Sequence, residues 1–290
     1  MTLTYAYDAN GNITSVSDGT KTVSYVYDGI SQLIRVNDET DTTAGSTGTT
    51  WVFSYDLSGN ILTKAAYPYT TGTVGTAAES YTYVYGEDNW KDQLTQLTTK
   101  IGNNQPTTKT IQYDAVGNPT NDGTWTYTWQ HGKQLQQMQK TEASVTTTVQ
   151  FEYNEDGLRT KKAVTVGNDT VVTEYVLHGK NIVHMTRGND NLHFLYDAQG
   201  KPAEVIFNGA AYRYLYNLQG DVVALVDTSG TKVVEYTYDA WGKPIDKTGS
   251  HASTLGTVQP FRYRGYVFDE ETGLHYLRSR YYRAIRGRFA

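Results

Sequence analysis

The sequence predicts an all-β protein built from antiparallel β-hairpins. Tyrosine occurs 25 times against 7 phenylalanines, glycine occurs 27 times and proline only 6 times. This composition fits half-buried strands joined by tight turns, and helix formers dominate no window. A stronger observation is a recurring unit: an aromatic residue, any residue, Tyr-Asp, two variable residues, then Gly, one further residue and an aliphatic residue. Such internal repetition predicts an array of similar supersecondary units.

Copies of the unit can be followed along most of the chain. Clear copies begin at Tyr5, Tyr25, Phe53, Ile111, Phe151, Phe194, Tyr214 and Tyr236, and degenerate ones at Tyr83 and Tyr127. The two alternating aromatic residues predict a strand with both rings on one face. The Asp or Asn that follows can accept a hydrogen bond from an amide two residues on, and the Gly supplies a positive φ. Each unit is therefore a predicted hairpin, and neighbouring hairpins must pair to bury their apolar faces.

The residues expected to form these turns occupy equivalent places in their own repeats. They are Asp8, Gly11, Asp28, Asp56, Gly59, Asp114, Gly117, Asp197, Gly200, Asp239 and Gly242. We interpret the aspartates as turn caps rather than as the paired acids of a glycosidase. The Thr/Gly-rich stretches 38–50, 70–78 and 248–257 are predicted to be surface loops, because the repeat resumes after each.

No motif predicts catalysis, a cofactor or a metal site. The chain has no cysteine, which excludes disulfides and thiolate metal sites. None of the six histidines lies in a metal-binding spacing, although His184 and His193 are close in sequence. Phosphate-binding glycine loops and a Gly-x-Ser-x-Gly elbow are absent from the sequence, as is any apolar run long enough to span a bilayer.

Charge is unevenly distributed along the chain. The net charge is −5, which gives no overall footprint for nucleic acid. Residues 261–290 nevertheless contain seven arginines and three acidic residues, while the first 260 residues contain 18 basic and 27 acidic ones. These arginines are Arg262, Arg264, Arg278, Arg280, Arg283, Arg286 and Arg288. We expect them to pair with carboxylates and to stack on aromatic rings as the basic end folds back, with binding of an anionic polymer as the alternative.

The repeats resemble the YD repeats of bacterial RHS and wall-associated proteins, of the C-component of insecticidal toxin complexes and of animal teneurins. Residues 260–282 resemble the end of the RHS core, and residues 85–94 resemble a variant repeat of Gram-positive members. The matching end positions are Arg262, Tyr263, Gly265, Asp269, Gly273, Tyr276, Arg280, Tyr281 and Tyr282. The resemblance implies an antiparallel sheet that spirals into a hollow shell around a C-terminal toxin domain. On that basis residues 1–259 are the shell, and residues 260–290 fold inward as a plug within the same domain.

The end of the chain departs from the family pattern. Asp-Pro is expected after Tyr282, but the sequence has Arg283 and Ala284, and the later aspartates of the family's self-cleavage motif are missing. We therefore expect no self-cleaving protease activity. The first residues lie within a repeat and do not form a signal peptide, so we expect a fragment of a longer protein. The resemblance implies that this parent protein is secreted or lies at the cell surface.

Two further expectations concern partners. The tyrosine excess is interpreted as sheet structure whose hydroxyls face water, and the alternative is stacking of rings on carbohydrate. A partial shell would have an unpaired sheet edge, so self-association is also expected.

Overall fold

The computed structural model describes residues 2–86 and 90–289, with the backbone alone for residues 288 and 289. It divides into two compact units, Met1–Gln112 and Tyr113–Ala290. Residues 87–89 of the variant repeat predicted at 85–94 lie outside the described residues. Within the described residues, no helix is long and apolar enough to cross a membrane.

The first unit contains a nine-stranded antiparallel sheet in which every strand pairs with its neighbours in sequence. Its strands are β1 (Thr4–Tyr7), β2 (Ile13–Ser17), β3 (Thr22–Tyr27), β4 (Leu33–Asp38), β5 (Thr49–Tyr55), β6 (Ile61–Pro68), β7 (Glu79–Tyr85), β8 (Leu94–Ile101) and β9 (Thr107–Thr110).

The second unit contains a fourteen-stranded sheet with the same meander order. Its strands are β10 (Gln112–Tyr113), β11 (Pro119–Asn121), β12 (Thr126–Gln130), β13 (Gln134–Glu142), β14 (Val145–Tyr153), β15 (Arg159–Val166), β16 (Asp169–His178), β17 (Asn181–Arg187), β18 (Asp190–Tyr196), β19 (Pro202–Phe207), β20 (Ala210–Tyr216), β21 (Val222–Val226), β22 (Lys232–Tyr238) and β23 (Pro244–Thr248).

The chain after β23 forms short elements that end in a small four-stranded sheet. They are the helix α1 (Leu255–Val258), a 3₁₀ turn (Tyr263–Gly265), β24 (Val267–Asp269), β25 (Leu274–Tyr276), β26 (Tyr281–Arg283), a second 3₁₀ turn (Ala284–Arg286) and β27 (Arg288–Phe289). The predicted all-β class, with antiparallel hairpins, is confirmed; its strands are distributed over three sheets.

Each turn of the repeat is closed by the same hydrogen bonds. In the first copy the Asp8 carbonyl accepts from the Gly11 amide at 3.1 Å, and Asp8 Oδ1 accepts from the Asn10 and Asn12 amides at 2.9 Å each. Gly11 has φ +82°, which glycine adopts without a steric cost. Where the second copy has Ser31 in place of this glycine, φ is still +64°. The turn geometry thus follows from the local sequence.

Within the described residues a β-bulge accompanies the turn in eleven hairpins, including that of β21 and β22 next to Val226. In the first hairpin Ala6 pairs with Ser15 and Tyr7 with Ile13, so Thr14 is an extra residue on the return strand. The equivalent register shift occurs next to Tyr27, Tyr55, Tyr85, Trp129, Tyr153, Leu177, Tyr196, Tyr216 and Tyr238. An extra residue reverses the alternation of faces, so the first and fourth residues of a return strand point to the same side.

The second aromatic residue of most repeats is bonded to the preceding hairpin, which corrects the expectation that tyrosine hydroxyls face water. The Tyr196 hydroxyl donates to the Ile182 carbonyl at 2.6 Å, and the Tyr216 hydroxyl donates to the Pro202 carbonyl at 2.5 Å. Equivalent bonds are made by Tyr27, Tyr55, Tyr85, Tyr153 and Tyr238, and Trp129 donates through its indole N–H. The bulge frees these carbonyls from the regular ladder, so the hydroxyls satisfy groups that would otherwise lack a partner.

Two of the predicted surface loops are more ordered than expected. In 38–50 the carboxylate of Asp41 is buried and accepts from the Trp51 indole at 2.6 Å, which ties the loop to β5. In 248–257 the chain enters α1, and the buried side chain of Leu255 packs into the core of the second unit. Both loops were predicted from composition alone, and composition does not reveal a single ordering contact such as that of Asp41 or Leu255.

Candidate functional site

The most specific site in the second unit is where residues 260–289, hereafter the end segment, pack on one face of the fourteen-stranded sheet. That face carries the buried core, which includes Val149, Leu192 and Val205 from the sheet and Leu274 and Tyr281 from the end segment. We call it the core face. The end segment is therefore part of the core rather than an appendage.

Two charged residues of β15 occupy positions that are apolar in most other return strands, although β6 has Lys64 and β23 has Lys247 at the fourth position. The bulge at Thr160 directs the first and fourth residues of this strand, Arg159 and Lys162, to the core face. The equivalent pairs elsewhere are Leu94 with Leu97, Leu135 with Met138, Ile182 with Met185, Pro202 with Val205 and Val222 with Leu225. Arg159 and Lys162 are only 3% and 6% exposed, so each needs a buried partner.

The partner is an acidic pair from the end segment. Asp269 accepts from Arg159 through two bonds, at 2.6 and 3.1 Å, and from Lys162 Nζ at 3.0 Å. Lys162 Nζ also contacts Glu271 at 2.7 Å, and Glu271 accepts from Arg187 of β17 at 2.9 Å. We call these five residues the anchor site. Three cations and two carboxylates thus join β15 and β17 to the end segment.

Burial and charge act in opposite directions at the anchor site. Burial alone would raise the pKa of Asp269, but the positive charges of Arg159 and Lys162 outweigh it and hold that pKa below its ordinary value. Burial likewise disfavours the charged form of Lys162, and Asp269 reverses the effect, so the pKa of Lys162 is raised. The network therefore stays ionised, and each charge depends on the others.

Aromatic rings enclose the guanidinium of Arg159. It lies 4.4 Å from the ring centre of Tyr276, 5.2 Å from that of Tyr175 and 5.3 Å from that of Phe151. The Tyr276 hydroxyl also accepts from the Arg159 amide at 2.9 Å. Three rings around a desolvated cation add cation–π attraction and exclude water from the ion pairs.

A second ionic contact has the opposite polarity. Asp122, in the turn before β12, is 2% exposed and lies 2.6 Å from Arg286 and 3.5 Å from Arg283. Burial would raise the pKa of Asp122, but the two arginines hold it below its usual value. Here the end segment supplies the cations and the sheet the carboxylate, as the sequence predicts for the arginine-rich end.

A third region of the end segment is packed rather than ion-paired. Gly242, with φ +84°, contacts Tyr263 so closely that a Cβ at this position would lie 2.4 Å from the ring. His275 is fully buried beside it and contacts the Gly242 carbonyl through Nε2 at 3.1 Å. Burial lowers the pKa of His275 to about 4. The imidazole is therefore neutral at pH 7 and packs as an uncharged group.

The contacts of neighbouring residues show that the fourteen-stranded sheet is strongly curved. The Tyr282 hydroxyl donates to the Trp241 carbonyl after β22 at 2.8 Å, and Arg283 donates to the Tyr127 hydroxyl on β12 at 2.9 Å. In a flat sheet β12 and β22 would be roughly 50 Å apart. Two adjacent side chains span only on the order of 20 Å. The core face must therefore be concave, with the end segment inside the curve.

A cavity of about 460 Å³ lies between the end segment and the turns of β15 to β19. Its lining includes the aromatic residues Tyr175, Tyr196, Phe261, Tyr266 and Tyr276, and the basic residues Arg159, Lys180, Arg264 and Arg278. No acidic residue lines it in the part of the chain that the structure describes. Such a lining suits a polar ligand with a face that stacks on rings.

The structure brings some of the predicted residues together and keeps others apart. Asp269, Tyr276 and Tyr281 meet near Arg159, and the Tyr281 hydroxyl lies 2.7 Å from that of Tyr153. Two of the other predicted end positions contact tyrosines of β22: Arg262 lies over the ring of Tyr236, and the ring of Tyr263 lies beside that of Tyr238. Gly265 and Gly273 have positive φ, and Arg280 is exposed. The Tyr282 hydroxyl donates to the Trp241 carbonyl. Each turn aspartate lies at the turn of its own hairpin.

The sequence analysis did not identify the residues that the fourteen-stranded sheet contributes to the anchor site. Arg159, Lys162 and Arg187 were not predicted, although an Arg-x-x-Lys pair at two positions that are both apolar in most other repeats was a usable signal. Within the described residues, no cluster of three or more His, Asp or Glu side chains could hold a metal ion. The site's chemistry is the mutual neutralisation of buried charges.

Comparison with known proteins agrees with this architecture. No family model matches the chain. Over 185 residues it is 38% identical to the tRNA3(Ser)-specific nuclease WapA of Bacillus spizizenii and 36% identical to the tRNA nuclease WapA of Bacillus subtilis strain 168. The crystal structure of TcdB2-TccC3-Cdc42 matches 99% of the chain with a TM-score of 0.64 at 15% identity. These similarities in sequence and fold support an RHS-type repeat protein.

The chain corresponds to a small part of the proteins it matches. The matched region covers 62% of the chain but 8% of each WapA protein, and the structural match covers 17% of the TcdB2-TccC3 chain. A crystal structure of TcdB2-TccC3 without its hypervariable C-terminal region also matches 99% of the chain, with a TM-score of 0.61. The likeness in fold therefore does not depend on that hypervariable region.

Proposed function

We propose that this chain is part of an RHS shell that sequesters a polypeptide cargo, a toxin domain that follows the RHS core. The observation that carries the proposal is the anchor site, where Asp269 and Glu271 hold the end segment in the concave core face through buried ion pairs. A polypeptide continued from β27 would start from this side of the sheet. The shell would thus receive its cargo on the enclosed face.

Two similarities support a role in containment rather than in catalysis. The WapA relatives are named as tRNA nucleases, yet the chain spans only 8% of their length. The TcdB2-TccC3 structure without its hypervariable region retains the fold match. We infer that the chain is not itself an enzyme and that a catalytic domain lies elsewhere in such proteins. We also propose, from the resemblance to wall-associated RHS proteins, that such a protein acts outside the cell or at its surface.

Protease protection tests the proposal. An unfolded reporter peptide is joined after residue 290, and its digestion is compared with that of the same peptide on an unrelated β-protein. We expect slower cleavage on this chain, and faster cleavage when Asp269→Asn loosens the end segment. Glu204→Gln is the matched control, since Glu204 forms an exposed ion pair with Arg213. Equal cleavage on both carriers would refute sequestration.

The cavity favours carbohydrate recognition as a second candidate function. Tyr266 and Arg278 in its lining offer a ring for stacking and a cation for hydrogen bonds. A glycan array would reveal binding, and Tyr266→Ala and Arg278→Ala should then abolish it while Arg213→Ala, outside the cavity, should not. An array without any bound glycan would reject this candidate and leave the sequestration proposal unaffected.

Self-association through sheet edges is a further part of the proposal. Within the described residues, β1 and β23 are terminal strands of their sheets and each has one hydrogen-bonded neighbour. Such edges present free backbone donors and acceptors to a second chain. Sedimentation velocity at increasing concentration should show dimers or larger species; a strict monomer at all concentrations would refute this expectation.

A further inference from the structure

Two histidines face each other on the side of the second sheet opposite its core. His184 of β17 and His193 of β18 are directly paired across the two strands. Their Nδ1 atoms are 3.1 Å apart, and their ring centres are 4.3 Å apart with an interplanar angle of 35°. His184 is half-buried and His193 is exposed. The repeat pattern does not require histidine at either position.

The spacing of the two nitrogens suits a shared metal ion. Imidazole nitrogens bind zinc at about 2.0–2.1 Å, which places two tetrahedral ligands about 3.3 Å apart. Two adjacent ligands of a square-planar Cu²⁺ or Ni²⁺ ion are about 2.9 Å apart. The observed 3.1 Å lies between these values. The separation of the two nitrogens is therefore compatible with either geometry.

The backbone beneath the pair is fixed before any ligand arrives. The adjacent residues Met185 and Leu192 are paired with each other, and both are buried in the core. A two-residue turn joins the strands, and Gly188 in that turn has φ +57°. A preformed pair of ligands needs little ordering when it binds an ion.

The row of side chains around the pair carries no competing charge. The residues paired with His184 and His193 on the outer strands are Val176 and Ile206. The nearest acids along the sheet are Glu174, which pairs with Thr186, and Glu204, which is bound to Arg213. The pair therefore supplies two ligands, and water or a ligand from another molecule takes the remaining coordination positions.

We propose that His184 and His193 form a binding site for a divalent transition-metal ion on the exposed face of β17 and β18. This site is separate from the anchor site and independent of the sequestration proposal. A hydrogen bond between two neutral imidazoles is the competing account of the same geometry, since one ring nitrogen can donate to the other.

Calorimetric titration of the untagged full chain with CuCl₂, NiCl₂ and ZnCl₂ at pH 7.5 tests the site. We expect one ion per chain with micromolar affinity for at least Cu²⁺. His184→Asn and His193→Asn should each weaken binding about tenfold or more, because one of two ligands is lost. His178→Asn, an exposed histidine elsewhere on β16, is the matched control and should bind as the original chain does.

Spectroscopy separates a true chelate from weak surface binding. Electron paramagnetic resonance of the Cu²⁺ form should show hyperfine coupling to two imidazole nitrogens, and one in either variant. Both histidines contact solvent, so the variants should keep the original melting temperature in the absence of metal. Binding weaker than millimolar, or unchanged binding in both variants, would overturn the proposal and leave the hydrogen bond as the explanation.

Discussion

Replacement of Asp269 by asparagine tests the energetics of the anchor site most directly. The change removes the negative charge that neutralises Arg159 and Lys162, which are 1% and 7% exposed in their side chains. A buried ion pair that loses one partner destabilises a protein by about 3–5 kcal/mol, since the remaining charge stays desolvated. For a unit of this size that corresponds to a fall in melting temperature of roughly 10 °C. Unfolding of the second unit should shift by this amount.

Urea unfolding followed by hydrogen exchange provides the measurement. Exchange should accelerate most at the amides of residues 267–276 and at Arg159, because these are joined by the lost contacts. Glu204→Gln breaks an exposed ion pair and should cost less than about 1 kcal/mol. If Asp269→Asn costs no more than this control, the buried network is not what holds the end segment.

A double-mutant cycle checks that the cost arises from the unpaired cation. Arg159→Met removes the cation and, on its own, leaves Asp269 buried beside Lys162 alone. In the Arg159→Met/Asp269→Asn protein neither charge remains, so the combined cost should be smaller than the sum of the single costs by more than about 1 kcal/mol. Additive costs would contradict a direct interaction between the two residues.

Three other changes follow from the packing of the second unit. Burial lowers the pKa of His275 to about 4, so its contribution to stability is present above the unfolded pKa near 6.5 and is lost as pH falls toward 4. Urea titrations should show that the free energy of unfolding falls by about 3 kcal/mol across this pH window. His275→Gln should remove this pH dependence. Tyr196→Phe leaves a backbone carbonyl without its donor and should cost about 1 kcal/mol in chemical denaturation, with no cost refuting a role for the hydroxyl. Gly242→Ala places a Cβ against the Tyr263 ring and should lower the free energy of unfolding by more than about 2 kcal/mol, through strain and overpacking. Gly200→Ala is the control: Gly200 also has a positive φ but open space around it, so the loss should be only about 1 kcal/mol.

The local part of the fold was predictable because the repeat encodes it locally. Asp8 and Gly11 determine a turn through bonds that span four residues, and the flanking aromatic residues define the strands. The place of the bulge on the return strand was not predicted, since Thr14 is an ordinary strand residue and nothing in the sequence marks it as extra. Its consequence, the bond from the second tyrosine to the preceding hairpin, was missed for the same reason.

The candidate site was predicted only from the side of the end segment. Asp269 was identified by resemblance, while Arg159 lies 110 residues earlier in a strand that otherwise follows the repeat. Alignment of the copies would have marked it, because β15 has charged residues at both positions of a pair that is apolar in most other return strands. The partner's identity needed the curvature of the sheet, which no local pattern encodes.

The two ionic contacts of the end segment together determine its orientation more than its stability. Its acidic residues Asp269 and Glu271 meet cations of β15 and β17, while its arginines Arg283 and Arg286 meet Asp122 before β12. A reversed placement would put arginine beside Arg159 and carboxylate beside Asp122, and buried like charges cost several kcal/mol. Apolar residues at these positions could supply equal or greater stability, but they would accept either orientation. The pattern of charges therefore explains how a short segment enters a concave, largely aromatic face in one direction, and so which way the chain beyond β27 would point.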